Sequence, residues 1–200
     1  MAKSLNLNTD VDDKTFDKKS ALEWIATIEG EGASVREQDI YPLLNKWIWD
    51  NDITDVVDIG SGQGVCSSKI PVDTVYTGVE PSEFLLGRAK LHYPDANFLR
   101  GSAYELPLPS SSVTGAFSIA VWHLLSDSER AAHELSRVLK PGGHYFIVTA
   151  DPQHPAWKQT PDHIFLRSET ELNAVWFKHR LKTTRMGAFR SFWYFEGRKV

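Results

Sequence analysis

The stretch Val56 to Gly64, VVDIGSGQG, constrains this chain more than any other. Its dense apolar start reads as a strand buried on both faces, which places it in a parallel sheet covered by helices. Gly60, Gly62 and Gly64 then allow a sharp turn and leave no Cβ in the way of a ligand. In open α/β sheets ligands sit beyond the carboxyl ends of the strands, at the point where the strand order reverses.

The rest of the sequence repeats the strand–helix alternation. Asp55 to Ile59 reads as the first strand, and Gly62 to Lys69 opens a short helix. Val75 to Val79, Asn97 to Arg100, Gly115 to Val121 and Tyr145 to Thr149 read as further strands. Ser82 to His92 is a helix. Ser126, with Glu129 as capping-box partner, starts another that stops at Lys140-Pro141-Gly142-Gly143. Ser168 and Glu171 form a second capping box, for a helix through about Lys178. Leu181 to Met186 and Ser191 to Phe195 have no helix between them, so they should pair antiparallel, with Gly187 and the residues after it as the turn. Residues 1–15 are polar and loose. Phe16, Leu22, Ile25 and Ile28, then Ile40, Leu43, Leu44, Trp47 and Ile48, give helical spacing ahead of the sheet. The expectation is an α/β fold: a doubly wound, mostly parallel, seven-stranded Rossmann-like sheet with an antiparallel C-terminal hairpin and an N-terminal helical cap. One domain over 1–200 would divide into a cap at 1–50, a cofactor-binding core at 51–150, and an acceptor-side loop, helix and hairpin at 151–200.

The glycine spacing discriminates among nucleotide ligands. The dinucleotide fingerprint G-x-G-x-x-G needs glycine at 65, where this chain has Val65. A phosphate loop would end in Gly-Lys-Ser/Thr, which is absent. Asp58, two residues before the first glycine, would repel a pyrophosphate and suits a ligand with a cationic amino group. Glu80, at the end of the second strand in YTGVEPS, can accept from both hydroxyls of a ribose through charge-assisted hydrogen bonds.

These residues resemble the class I S-adenosylmethionine-dependent methyltransferases, in particular the branch that acts on small molecules. VVDIGSGQG resembles that family's first motif, and Glu80 its ribose-binding acid. GSAYELPLPSSSVTGAFSIAVWHLL, from Gly101, and ELSRVLKPGGHYFIVT, from Glu134, are similar to the stretches from the adenine loop through the fourth strand and on to the fifth. The ordered resemblance covers about residues 54–150, and REQDIYPLLNKW resembles the cap of small-molecule methyltransferases. It implies S-adenosyl-L-methionine as cofactor, held by Asp58, Gly60, Ser61, Gly62, Gly64, Glu80, Pro81, Ser102, Ala103, Tyr104 and Ala120. It also suggests that Arg36 reaches the cofactor carboxylate. Ser102 stands where the family often has Asp, which weakens the adenine contact.

The resemblance implies methyl transfer by in-line displacement, in which a general base is needed only for a protonated acceptor. The acceptor should lie over Ala120-Val121-Trp122-His123. No Asn/Asp-Pro-Pro-aromatic signature stands there, as it does in amino-group methylases of DNA bases and glutamine, and no cysteine, as in cytosine-carbon methylases. His123 is the candidate base or orienting residue; the competing reading has it lining the pocket or bonding locally. Trp122 either flanks the cofactor or packs in the core, Tyr41 either faces the acceptor or anchors a helix, and Cys66 is a small packing residue. His144, His154, His163 and His179 show no metal-ligand spacing. A formal charge of -4 and pI near 6.0 argue against a DNA partner. With no spanning apolar run, no membrane is expected and the setting is cytoplasmic. The expected partner is a small-molecule acceptor. RNA or protein methylation, and a cofactor-binding regulator of the same fold, are the alternatives.

Overall fold

A computed structural model describes residues 18–200. Phe16, expected on the first helix, lies outside them. The cap comprises α1 (Lys18–Glu29), α2 (Glu31–Val35), a π-turn (Arg36–Ile40) and α3 (Tyr41–Asp50). The sheet strands are β1 (Asp55–Ile59), β2 (Val75–Glu80), β3 (Asn97–Arg100), β4 (Val113–Ile119), β5 (Leu139–Ala150), β6 (Leu181–Phe189) and β7 (Phe192–Lys199). Between them run α4 (Glu83–His92), α5 (Ser128–Val138) and α6 (Glu169–Lys178).

The seven strands lie in the order β3-β2-β1-β4-β5-β7-β6. The first five are parallel, while β7 runs antiparallel to both β5 and β6. This is the expected Rossmann-like sheet, and the order reverses between β1 and β4. Alternating side chains build a core on each face. Val57, Ile59, Tyr145 and Ile147 face α5 and α6 residues such as Leu135 and Trp176. Val56, Phe117, Phe146 and Val148 face Leu44 and Trp47 of α3. Period-2 alternation thus turns Asp58 toward the cap side, next to Val56 in register.

Several local expectations are corrected. After the glycine loop there is only one 3₁₀ turn, Val65–Ser68, not a helix over 62–69. The fourth strand ends at Ile119, because Ala120 adopts a left-handed φ of 59° and turns the chain out of the sheet. Asp127, not Ser126, caps α5: its carboxylate accepts from the Arg130 amide at 3.0 Å, and an anion there also favours the helix dipole. Glu129 instead bonds Lys178 and His179, tying α5 to α6. α5 stops at Val138, and its LKPGG segment already belongs to β5, with Leu139 beside Val113 before the register slips. Gly187 is not in the hairpin turn. It lies within β6 under the Tyr194 ring, where a Cβ would clash, and the turn is Arg190-Ser191, with Arg190 at φ 50°. The Ser168–Glu171 capping box forms as read.

Candidate functional site

The glycine loop follows β1 at the switch point, and its amides face inward. Gly60 and Ser61 donate to the Val79 carbonyl at 2.8 and 3.1 Å, Gly64 donates to Ser61, and Gly62 donates to the Glu80 carboxylate at 2.9 Å. All three glycines take positive φ (78°, 56° and 84°). A Cβ would strike Val121 at Gly60 and Trp24 at Gly62, each at 2.5 Å. A phosphate-binding loop needs free amides and a helix N-terminus aimed at the anion. This loop has used those amides, and only a 3₁₀ turn follows it. The amides of Gly60, Ser61, Gly62 and Gly64 are therefore not offered to a phosphate, and the glycines admit the close approach of Val121 and Trp24.

Glu80 is buried at the end of β2, and each carboxylate oxygen takes one backbone amide, Gly62 on Oε2 and Ser82 on Oε1 at 3.0 Å. A carboxylate has about four lone-pair sites, so two amides alone do not exhaust it as an acceptor. Glu80 lines a cavity with Pro81, Leu85, Ser102, Ala103, Tyr104, Ala120 and Leu125. That lining is mostly apolar, suited to a flat base. The Ser102 hydroxyl accepts from the Tyr104 amide at 3.1 Å and keeps its own O–H to donate. Tyr104 is buried, its hydroxyl held near Ser126 and the Asp127 amide.

A second cavity adjoins the first through Gly60 and Trp24, and carries Asp58, Ser61, Arg36, Tyr41, Cys66 and Ile119. Asp58 is 2% exposed, and the Tyr76 hydroxyl donates to its Oδ2 at 2.7 Å. Burial pushes its carboxyl up to about 7; the Tyr76 hydrogen bond opposes this, Glu80 adds to it, and Cys66 and Arg36 oppose it. The Arg36 guanidinium lies 5.9 Å from the Trp24 ring centroid, a cation–π distance. An acid and a guanidinium thus line one small chamber. Burial raises the Tyr41 hydroxyl, which keeps it neutral here.

The free space is small, about 50 Å³ beside Glu80 and about 30 Å³ beside Asp58. Sites for drug-sized ligands are roughly 300–1,000 Å³. Trp24, from α1, supplies the obstruction, since its ring covers Gly62 and borders both cavities. Gln63, 4% exposed, donates to Glu29 of α1 and accepts from Arg88 of α4, so the cap is fastened to the loop itself.

His123 lies away from both linings. It is buried, and its Nδ1 accepts from the Ala150 amide at 3.2 Å, which fixes the proton on Nε2. Its carbonyl accepts from the Phe165 amide at 2.7 Å, and its ring packs on Trp157 at 5.1 Å. Burial lowers its pKa to about 4. The imidazole is therefore neutral, with its lone pair occupied, an arrangement unsuited to taking a proton. Trp122 packs in the core against Trp176, 5.7 Å between centroids. His154 caps the 3₁₀ turn Pro155–Trp157 through its Nδ1. Among the described residues no group of His, Cys, Asp and Glu could hold a metal. No described helix is long and apolar enough to cross a membrane.

Residues 57–147 match the family described as a methyltransferase domain. Over these residues the chain is a methyltransferase domain. The match spans the glycine loop, Glu80, the Ser102–Tyr104 loop and β5 as far as Ile147. An uncharacterized methyltransferase of Mycobacterium tuberculosis is 31% identical over 121 residues, covering 58% of this chain and 49% of that protein. A demethylmenaquinone methyltransferase of Listeria welshimeri is 33% identical over 119 residues, covering 53% and 49% respectively. The chain thus spans about half the length of these curated relatives. The domain also shares its fold with a SAM-dependent methyltransferase from Aquifex aeolicus, at TM-score 0.72 and 20% identity over 89% of this chain and 98% of that one.

Leu85, Leu124, Leu125 and, above all, Trp24 and Gln63 line the candidate site but carry no sequence signal of it. Trp24 sits in an amphipathic helix, where an aromatic reads as core. Gln63 reads as a solvated loop residue.

Proposed function

We propose that this chain binds S-adenosylmethionine and transfers its methyl group to a small-molecule acceptor. One observation carries the reading: the glycine-loop amides are consumed internally, while Asp58 and Glu80 stand on either side of the loop. That excludes a phosphate grip and leaves carboxylates for an ammonium and a ribose. Bound there, the cofactor supplies an electrophilic methyl group on a sulfonium.

The chain's residues would do the rest. Glu80 would accept from the ribose hydroxyls. Pro81, Leu85, Ala103 and Tyr104 would enclose the adenine, with the Ser102 hydroxyl or the Ala103 backbone at its edge. Asp58 would face the ammonium and Arg36 the carboxylate. Gly60, Ser61 and Gly64 would shape the loop, and Ala120, in its strained left-handed conformation, would place the end of β4 beside the reacting centre. Positioning and exclusion of water then supply most of the rate. His123 would hold the loop over residues 151–167 against the ends of β4 and β5. The aromatic residues Trp157, Phe189 and Phe192 gathered there support an apolar small molecule as acceptor. The Listeria relative's name, demethylmenaquinone methyltransferase, agrees with such a class.

Two measurements test this. Calorimetric titration with S-adenosylhomocysteine should show saturable binding that Glu80→Ala abolishes; no binding at millimolar ligand would sink the cofactor reading. Methyl-labelled cofactor incubated with fractionated extract should label the small-molecule fraction. Label confined to RNA or protein would overturn the acceptor class.

A further inference from the structure

Arg36 stands on a segment held from both sides. The π-turn Arg36–Ile40 closes with the Tyr41 amide donating to the Arg36 carbonyl, while Val35 before it and Tyr41 after it have α-helical dihedrals. On one flank Glu37 pairs with Lys69, just past the glycine loop, at 2.7 Å. On the other, Arg190 Nε donates to the Asp39 carboxylate at 2.7 Å and Nη2 donates to Gln38 Oε1 at 3.1 Å. Arg190 is the tip of the β6–β7 hairpin, 151 residues further along the chain, and holds a left-handed φ of 50°.

We propose that Arg190 is a positioning residue for the carboxylate end of the cofactor site. From the hairpin tip it holds the π-turn in register and so sets the direction in which Arg36 enters the cavity. This rests on the reading of Arg36 given above. The geometry supplies the reason. At about 100° per residue, an α-helix would bring Asp39 to within about 60° of the Arg36 direction. The wider π-turn rotates less per residue and so leaves Asp39 further from the Arg36 direction, with Glu37 on one side of Arg36 meeting Lys69 and Asp39 on the other meeting Arg190. π-turns are rare and concentrate at functional sites because they re-aim a side chain. An ion pair this exposed, with side-chain exposures of 49% and 29%, adds little to stability, so its effect should fall on the aim of Arg36.

The experiment compares two ligands on the full chain. S-adenosylhomocysteine has the amino-acid end; 5′-methylthioadenosine shares the adenine, ribose and thioether but lacks it. In the wild type Arg36→Ala should weaken only the first. Arg190→Ala should weaken S-adenosylhomocysteine about fivefold and leave methylthioadenosine unchanged. Asp39→Ala should do the same, and the double variant should be no worse than either single one. Equal weakening of both ligands, no change in either, or additive losses in the double variant would overturn the proposal. An Arg36→Ala variant that keeps the wild-type preference would remove its basis. If the wild type binds neither ligand, the cofactor reading has failed first, and Arg190 has nothing to position.

Discussion

Asp58 offers the sharpest test of the site, because the same burial that prepares it for a cation works against the fold. Its carboxyl is raised from 3.8 to about 7, chiefly by burial. A buried acid with a raised pKa holds its proton in the folded state at pH values where the unfolded chain has lost it. Between pH 4 and 7 the unfolded state therefore binds fewer protons, and stability falls as pH rises. At about 1.4 kcal/mol for each pH unit, the full cost above pH 7 is on the order of 4 kcal/mol. Asp58→Asn has nearly the shape of the protonated acid and can still accept from the Tyr76 hydroxyl, but it cannot ionise. Near pH 4 the variant should match the wild type; above pH 7 it should be more stable by up to about 4 kcal/mol, on the order of 10 °C in midpoint for a chain this long. The raw pH profile of the wild type will not show this. His123, lowered to about 4 by burial, works in the opposite sense, since stability is gained as pH rises from about 4 to 6.5. Only the difference between variant and wild type, by urea or thermal unfolding at pH 4–8.5 without ligand, isolates Asp58. A gap that does not change with pH would refute the reasoning. The same variant should lose S-adenosylhomocysteine affinity while gaining stability, and the wild type should release a proton on binding at pH 6, since an ammonium favours the ionised carboxylate.

Two further predictions concern His123 and Trp24. His123→Asn keeps an acceptor for the Ala150 amide, so kcat should stay within about tenfold of wild type. A fall of about 10²–10⁴ would show His123 acting as a general base. Trp24→Ala opens the space over Gly62, and stopped-flow association of S-adenosylhomocysteine should speed up about threefold or more. An unchanged association rate would show that Trp24 does not bar entry.

The features legible in the sequence were those whose physics is local. The Val56–Val57 run, the three glycines and the acids at 58 and 80 each report a constraint acting within a few residues, and the mostly parallel sheet with its antiparallel end followed from the alternation around them. Long-range competition decided the rest. Ser126 and Asp127 were both adequate caps, and the outcome turned on Glu129 being drawn to Lys178 and His179, about 50 residues away. Gly187 resembled a turn residue, yet it is required by the ring of Tyr194 on the neighbouring strand.

The cap shows the same principle acting on function. Its helices could be read from their spacing, but spacing does not say which apolar face meets a core and which covers a ligand loop. Ala21 and Ile25 are buried, whereas Trp24 lies over Gly62. The glycine that allows a ligand to approach the loop also allows the tryptophan to approach it. Gly62 at φ 56° with a Cβ would exclude both. The space over the loop therefore has two claimants, one supplied by the chain itself and one from outside. Binding must exchange the first for the second, so the ligand's affinity is reduced by whatever holds α1 down, including the Gln63–Glu29 bond. Loosening the cap should raise affinity at the adenine end. Loosening its Arg190 anchor should lower it at the carboxylate end, because there the cap supplies the binding group rather than the obstruction.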